Sequence, residues 1–279
     1  MKRLTLYIIL SYLPLASFSQ EIDTALAKVF YILKHKKDLP KKDSIYVENM
    51  VLFIGKKTSA FKSYDRFLQA NAVAKNLDEQ SKNWTGPGLP RTIMPTDLKR
   101  YTNQEVFLSF QNKTLTTSEY LWLNYQYDEP LARLTWKLIP ERKKINDIGC
   151  QKAITICRGR EWTVWFAPDI PFETGPWKLH GLPGLILEAH DSNNEVQFLF
   201  DGFESLNLKE NNITIITPPL KAIKTTSSDF NKLKGRMYMD PSGFANAQLR
   251  LARGIIDSRD FAGFNSKRIT NPIDLTEAK

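Results

Sequence analysis

Three histidines are the first residues to consider for acid–base or metal chemistry, and the chain contains no others: His35, His180 and His190. Alternate residues of a strand share one face, so Glu188 and His190 could contact the same ion. Metal sites usually need three or four ligands, and we therefore interpret His190 as an ordinary residue at the end of a strand. His180 precedes Gly181 in a turn-rich stretch, where it could bond to the loop backbone or face a ligand. We favour the first interpretation.

Two carboxylates, Asp169 and Glu173, flank Pro171 and are candidates for paired acid–base chemistry. Two carboxylates can divide these roles when their surroundings separate their pKa values. Asp residues also commonly accept backbone N–H bonds in turns, and this structural interpretation is the stronger one here. The sequence contains no G-x-S-x-G elbow, no phosphate-binding glycine loop and no zinc-type spacing. We therefore predict no catalytic residue, no cofactor and no metal site.

The stretch that contains these carboxylates is rich in proline, glycine and large apolar residues. Four prolines and three glycines occur at residues 168–184, which restricts the unfolded chain and lowers the entropy lost on ordering. Residues 182–185 (Leu-Pro-Gly-Leu) fit a type II turn, with proline second and glycine third. The tryptophans here are more typical of a core than of a sugar-stacking platform. The residues that could be either structural or ligand-facing are Trp165, Asp169, Trp177, His180, Leu182, Pro183 and Gly184.

In this stretch the chain resembles the GLPGLI family of exported Gram-negative envelope proteins, named for the motif that stands here at residues 181–186. Further agreement is found at residues 55–63, 150–153, 158–160, 165–171, 175–176 and 271–273. Cys157 departs from the family pattern. The resemblance implies export and a β-rich fold. No reaction or ligand is established for the family, so the resemblance implies no catalytic residue.

The N-terminus has the layout of a secretory signal peptide. Lys2 and Arg3 supply positive charge, residues 4–15 are almost entirely apolar, and small residues follow at positions 17 and 19. The apolar run is shorter than the roughly 20 residues that span a bilayer as a helix. We therefore predict a cleaved signal peptide at residues 1–19 and a periplasmic or secreted location.

The chain carries a formal charge of +9, which becomes +7 if Lys2 and Arg3 are removed with the signal. A basic balance raises the question of a nucleic-acid partner. Export argues against that partner and favours anionic lipid, acidic glycan or an outer-membrane protein. Surplus lysine could also simply keep the protein soluble, which is the stronger explanation. No later segment is long and apolar enough to span a membrane, so we do not expect an integral membrane protein.

Cys150 and Cys157 are the two cysteines of the chain. If both lie in one extended strand, seven residues hold them about 23 Å apart, whereas a disulfide needs Cα atoms within about 7 Å. The odd spacing also directs the two side chains to opposite faces. We predict two free, buried thiols.

Short β-type runs dominate the remainder of the sequence. Predicted strands lie at residues 29–33, 51–54, 106–110, 120–127, 134–138, 153–157, 162–167, 185–190, 196–201 and 213–217. Residues 158–161 and 191–194 are predicted hairpin turns. The basic run at residues 142–144 is interpreted as a solvated loop.

Two amphipathic helices are predicted among these strands. The first covers residues 59–81, with Phe61, Tyr64, Leu68 and Ala72 on one face. The second starts near Asp240-Pro241, a cap followed by a first-turn proline, with an apolar face formed by Phe244, Ala247, Leu251 and Ile255. Many strands with few helices predict a single α+β domain at residues 20–279, built on a meandering antiparallel sheet that could curve into a half-barrel.

Two functions are compatible with this sequence. The first is a non-catalytic binding or accessory protein for a lipid, a peptide or an outer-membrane partner, with the loop at residues 175–185 covering a concave apolar face. The second is an envelope hydrolase whose site has no recognised motif. Clustered polar residues in a pocket would favour the hydrolase, and an apolar groove without titratable groups would favour the binding protein.

Overall fold

A computed structural model describes residues 23–40, 44–86, 100–206, 215–251 and 270–276. The predicted signal peptide at residues 1–19 and Ile255 of the second predicted helix lie outside these ranges. The strands are β1 (Asp23–Thr24), β2 (Ala27–His35), β3 (Tyr46–Ile54), β4 (Thr58–Ser63), β5 (Gln104–Ser109), β6 (Thr114–Leu121), β7 (Leu123–Pro130), β8 (Lys137–Ile145), β9 (Ile148–Cys157), β10 (Arg160–Ala167), β11 (Leu185–Asp191), β12 (Val196–Ser205), β13 (Ile215–Ile216) and β14 (Ile223–Lys224). The helices are α1 (Tyr64–Lys82), α2 (Ser227–Met239) and α3 (Pro241–Leu251).

Twelve of these strands form one large sheet in the order β14-β7-β6-β5-β4-β3-β2-β12-β11-β10-β9-β8. All neighbours pair antiparallel except β14, which runs parallel to β7. β8 and β14 are the two edge strands, and β1 pairs separately with β13. The predicted β-rich α+β fold on a meandering sheet is confirmed, with one parallel pair and one helix more than expected.

The sheet curves strongly around one face, here called the inner face. β4 and β12 are three places apart in the strand order, which corresponds to about 14 Å in a flat sheet. The rings of Phe61 on β4 and Phe198 on β12 are nevertheless 5.6 Å apart. The main hydrophobic core therefore lies inside the curve, where Tyr31, Trp162 and Phe198 are completely buried.

Two smaller clusters lie outside this main core. One packs on the opposite face of the sheet and contains Val51, Phe53 and Phe107, with α1 beside it. The other joins β7 to α2 and α3 through Tyr127, Phe230 and neighbouring side chains. Within the described part of the chain, no helix has the length and hydropathy needed to cross a membrane.

Two predicted strands were wrong in detail. Residues 120–127 form a hairpin rather than one strand, because Trp122 takes a positive φ of 68° and Leu121 pairs with Leu123. Residues 134–136 are not part of a strand, since β8 begins only at Lys137. The alternation of apolar and polar residues arises because Leu134 and Trp136 pack against the core. The basic run at residues 142–144, predicted to be a loop, belongs to β8.

The first predicted helix began too early. Residues 58–63 form β4, whose two neighbours β3 and β5 supply a full ladder of hydrogen bonds. Phe61 is therefore a core residue of a strand. The helix starts at Tyr64, where the Ser63 side chain accepts a hydrogen bond from Arg66 N at 2.9 Å, and Leu68 is 47% exposed rather than part of a buried face.

The predicted C-terminal helix exists as α3, and Asp240 caps it by accepting a 2.9 Å bond from Gly243 N. Its buried residues include Phe244, Ala245 and Gln248, whereas Ala247 is exposed. The helix therefore presents a face different from the predicted one. It is preceded by α2, which was not predicted and which buries Phe230 against the β7 strand.

Candidate functional site

The residues singled out from the sequence lie mainly in the loop between β10 and β11, residues 168–184, here called the motif loop. This loop packs against the inner face of the sheet. The hydroxyls of Thr174 in the loop and Ser59 on β4 are 3.2 Å apart. Just after the loop, in β11, the carbonyl of Ile186 accepts a 2.7 Å bond from Tyr31 of β2. The motif loop is thus part of the core that the curved sheet surrounds.

The turn at Gly184 differs from the predicted type II turn. Gly184 N donates to Leu182 O at 2.8 Å, which closes a three-residue γ-turn around Pro183. Leu185 N donates instead to Ile170 O at 3.0 Å. Gly184 has a φ of +147°, and a Cβ there would lie 2.2 Å from the Ala167 carbonyl oxygen. Glycine is required because the loop backbone approaches the end of β10 this closely.

The apolar side chains of the motif loop are buried. Trp177, Leu179 and Leu182 are each at most 2% exposed, and the rings of Trp177 and Trp162 are 5.7 Å apart. Trp177 adopts a positive φ of 58°, and its buried Nε1 has no hydrogen-bond partner. This burial favours a structural role for the loop. The loop side chains occupy the concave inner face, where a bound lipid would otherwise lie.

His180 joins the motif loop to residues 131–136. Its Nδ1 lies 3.0 Å from Lys178 O and its Nε2 lies 3.1 Å from Ala132 O. Its own carbonyl accepts a 3.0 Å bond from Trp136 Nε1. Burial lowers the pKa of His180, although the two carbonyl acceptors act in the opposite direction. The imidazole is enclosed by backbone, as expected for a structural residue.

Three of the singled-out residues lie away from this buried cluster. Trp165 is half-buried at the margin of the main core, and Lys143 Nζ lies 4.6 Å from its ring centroid. Asp169 and Pro183 are exposed. The structure therefore brings Trp177, His180, Leu182 and Gly184 together, places Trp165 at the edge of the core, and leaves Asp169 and Pro183 on the surface.

A buried ion pair at the C-terminal end of the motif loop was missed in the sequence. Lys178 is 1% exposed, and its Nζ lies 2.7 Å from Oδ2 of Asp274, which is 3% exposed. Thr276 donates through both its N–H and its hydroxyl to the other carboxylate oxygen. Burial alone would raise the pKa of Asp274, but Lys178, Thr276 and Arg158 together hold it below its ordinary value.

Arg160 forms a second buried charge cluster with the same part of the chain. It is 4% exposed and is positioned at the start of β10 by the β9–β10 hairpin, in which Arg158 and Gly159 have positive φ values. Its guanidinium donates to Asp191, Glu195, Asn271, Pro272 and Ile273 at 2.5–3.1 Å. Residues 270–276, here called the C-terminal segment, are therefore fixed to the sheet by buried cations.

This network brings together segments that carry the family resemblance but lie far apart in sequence. Residues 158–160 and 271–273 meet at Arg160, although more than 100 positions separate Arg160 from Asn271. Asn271 also accepts a 2.7 Å bond from His35 through its carbonyl. Burial lowers the pKa of His35 to about 4, with the nearby cations Lys37 and Arg160 adding to the effect. Sequence spacing gave no signal for these contacts.

Cys150 and Cys157 are free and buried, as predicted, and both lie in β9. Their charged neighbours differ: Lys143 and Glu188 surround Cys150, whereas Arg158, Lys178 and Asp274 surround Cys157. This agrees with side chains on opposite faces. Burial raises the pKa of each thiol to about 11, so neither is suited to nucleophilic chemistry near neutral pH.

Glu188 and His190, which could have contacted one ion, do not form an ion site in the structure. Glu188 forms an ion pair with Lys143, with 2.5 Å between Oε2 and Nζ. His190 Nδ1 lies 3.2 Å from Asp191 O. Within the ranges that the structure describes, no three His, Cys, Asp or Glu side chains are grouped so that they could hold a metal ion. Glu173, the other carboxylate considered, is exposed.

A surface groove of about 470 Å³ lies at the β8–β9 edge of the sheet and is here called the edge groove. Its lining consists of Arg133, Leu134, Thr135, Lys137, Ile154, Thr155 and Ile156. β8 begins at Lys137, opposite Ile154, whereas β9 continues to Cys157. The groove therefore occupies the place where β8 does not extend alongside β9, and Ile156 is 73% exposed there.

Comparison with known proteins gives limited matches. The sequence model of a family described as "Protein of unknown function (Porph_ging)" matches residues 156–188, which include the motif loop. A search of curated proteins found no match. The structures of PNGF-II in the P21 and C2 space groups are similar at 12% identity, with TM-scores of 0.49 and 0.46. Each covers 75% of this chain and 32% of the PNGF-II chain, so the chain spans about a third of that protein's length.

Proposed function

We propose that this chain is an exported, non-catalytic binding protein of the bacterial envelope, and that the edge groove is its binding site. The observation that carries this proposal is the composition of the groove. Its lining combines apolar side chains and threonines with two cations, and no histidine, cysteine, serine or carboxylate belongs to it. A hydrolase would need a nucleophile activated by a base within hydrogen-bond reach. The hydroxyls in the lining belong to Thr135 and Thr155, and no histidine or carboxylate lies in the lining to activate them.

The polar groups elsewhere support the same proposal, because they serve the fold. His35 and His180 bond to backbone carbonyls in the interior. Of the two groove threonines, Thr155 donates its hydroxyl to the Thr135 carbonyl at 2.7 Å. The buried cations Arg160 and Lys178 are engaged by the C-terminal segment. These groups are positioned to hold strands and loops together.

Export and membership of the GLPGLI family are part of this proposal. The N-terminal pattern of charge, apolar run and small residues supports export, and the arrangement of the motif loop is compatible with the family. A single domain at residues 20–279 is supported by the return of the C-terminal segment to β2, where Asn271 meets His35. An intact-mass measurement on the exported protein should show the loss of about 19 residues; retained Met1 or a lipid adduct would contradict export.

Isoleucine-methyl NMR tests the binding site directly, because Ile154 and Ile156 line the groove whereas Ile54 and Ile186 report the core. Acidic peptides, anionic vesicles and acidic oligosaccharides would be added separately. Movement of the Ile154 and Ile156 signals by any one of them, with the core signals fixed, supports a binding function at this site. If none moves these signals, or if the protein turns over ester, amide or glycoside substrates, the proposed function is wrong.

A further inference from the structure

We propose that the occupant of the edge groove is an extended, acidic polypeptide segment of a partner protein, which adds to β9 as a short strand. This inference rests on the proposed function and specifies the ligand of the same site. It is motivated by two independent features: an uncovered backbone position at the end of β9, and a lining that combines two cations with apolar side chains.

The uncovered backbone position is that of Ile156. Cys157 and Arg160 close the two-residue β9–β10 hairpin, so their backbone groups point toward each other across it. Backbone groups alternate direction along a strand, and those of Ile156 therefore point away from β10, toward the edge. No strand in the described part of the chain pairs with Ile156 on that side, since the β8 ladder ends at Ile154.

An extended polypeptide is the ligand that matches this position. A strand added at a sheet edge gains main-chain hydrogen bonds, and its alternate side chains enter pockets beside the edge. Here Ile154 and Ile156 lie two residues apart on one face of β9, and Leu134 borders the same groove. Apolar side chains at every second ligand position would contact them. The lining contains no aromatic side chain on which a sugar could stack.

The charge of the lining selects an acidic segment. Arg133 and Lys137 are both exposed and border the groove, and no acidic residue joins them in its lining. Arg142 and Lys144 lie farther along β8, outside the groove lining and beside the exposed Glu141. Carboxylates on the ligand would therefore be attracted to this edge, with a strength that falls as salt increases.

The test is a titration of the isoleucine-labelled protein with a blocked pentapeptide of alternating glutamate and valine. Three probes are compared: this peptide, its glutamine analogue, and a version with N-methylated backbone amides. We expect the acidic peptide to shift the Ile154 and Ile156 signals, the glutamine analogue to bind at least about fivefold more weakly, and the N-methylated peptide not to bind.

Matched protein variants isolate the contribution of the groove. The double substitution Arg133→Gln/Lys137→Gln should weaken binding of the acidic peptide about fivefold or more. Arg142→Gln/Lys144→Gln removes the same charge from the same edge but outside the groove, and should change binding less than about twofold. All four residues are exposed, so the variants should keep the melting temperature of the parent protein.

Each part of the inference has its own contrary outcome. Equal affinity for the glutamine analogue overturns the acidic requirement, and equal affinity for the N-methylated peptide overturns strand addition. Shifts of Ile154 and Ile156 with anionic vesicles or oligosaccharides, but not with the peptide, overturn the peptide occupant and leave the binding function standing. Absence of shifts with every probe rejects both proposals.

Discussion

The Nζ atom of Lys178 lies 2.7 Å from Oδ2 of Asp274, 96 residues later in the chain, and both side chains are almost completely buried. Lys178 belongs to the motif loop and Asp274 to the C-terminal segment. Arg158 Nε lies 3.8 Å from the same carboxylate oxygen. This pair therefore fastens the last described residues of the chain to the loop that fills the inner face of the sheet.

Breaking this pair should be strongly destabilising. Asp274→Leu should lower the free energy of unfolding by about 3–5 kcal/mol, because it removes the carboxylate that pairs with the buried Lys178 ammonium. Lys178→Met should cost less, because Arg158 and Thr276 still contact the Asp274 carboxylate. The double variant should lose less free energy of unfolding than the sum of the two single losses. Chemical denaturation measures all three, with Lys82→Met as a control: the exposed Lys82–Asp78 pair should contribute no more than about 1 kcal/mol. Additive losses would show that the two side chains do not interact.

His35 should make the protein less stable in mild acid. Burial lowers its folded-state pKa to about 4, whereas an unfolded histidine titrates near pH 6.5. Between these values the unfolded chain binds the proton and the folded chain does not, so the free energy of unfolding falls as pH decreases from about 6.5 to about 4. A pKa difference of about 2.5 corresponds to a loss of about 3 kcal/mol.

The variant His35→Gln tests this pH dependence, because it keeps a donor for the Asn271 carbonyl but does not titrate. Urea denaturation at several pH values should give a flatter profile for the variant than for the parent protein over this interval. If the free energies of unfolding of the two proteins differ by the same amount at every pH, protonation of His35 does not contribute to the pH dependence of stability.

Gly184→Ala should be much more damaging than Gly181→Ala. Both glycines have positive φ, but only at Gly184 would the new Cβ meet backbone, at 2.2 Å from Ala167 O. At Gly181 the nearest other atom is Trp136 Nε1, 4.0 Å away. We expect a loss of about 3 kcal/mol or more at Gly184 and about 1–2 kcal/mol at Gly181. Equal melting temperatures for the two variants would contradict the close approach of the motif loop to β10.

Trp177→Ala should lower the free energy of unfolding by about 3–5 kcal/mol, because it removes a buried indole beside Trp162. Trp177→Phe should cost less, since it keeps an aromatic ring and removes the Nε1 group that lacks a partner. Trp165→Ala is the control and should cost less, because Trp165 is only half-buried. If Trp177→Ala has the same melting temperature as the parent protein, the motif loop is not structural and becomes a candidate binding surface.

Both cysteines should be unreactive in the folded protein and free once it unfolds. Burial raises the pKa of Cys150 and Cys157 to about 11, so alkylation of the native protein at pH 7.5 should be slow. Under denaturing, non-reducing conditions mass spectrometry should find both thiols alkylated. Alkylation of neither thiol in a monomer, until a reductant is added, would show that a disulfide connects them.

Local sequence signals correctly located most of the strands and two of their hairpins. Residues 158–159 and 191–194 form turns in which Arg158, Gly159 and Asn194 take positive φ. Glycine and asparagine adopt that conformation at low cost, and the flanking β-type residues continue into long ladders. The predicted strand at residues 153–157 lies within β9, which also contains Cys150, so the condition on which two free thiols were predicted is met. Alternation and turn chemistry act over a few residues, so the sequence alone determined the β-rich class.

Tertiary contacts decided the rest. Phe61 has helical spacing to its neighbours, but two adjoining strands pair with residues 58–63 and make that segment a strand. Nothing in the local sequence marks Lys178 as buried, and the structure pairs it with Asp274. Ile156 lies at an open edge because β8 starts only at Lys137. Hydrogen bonds and ion pairs between residues about 100 positions apart depend on how the whole chain folds. The spacing of neighbouring residues in the sequence therefore does not predict them.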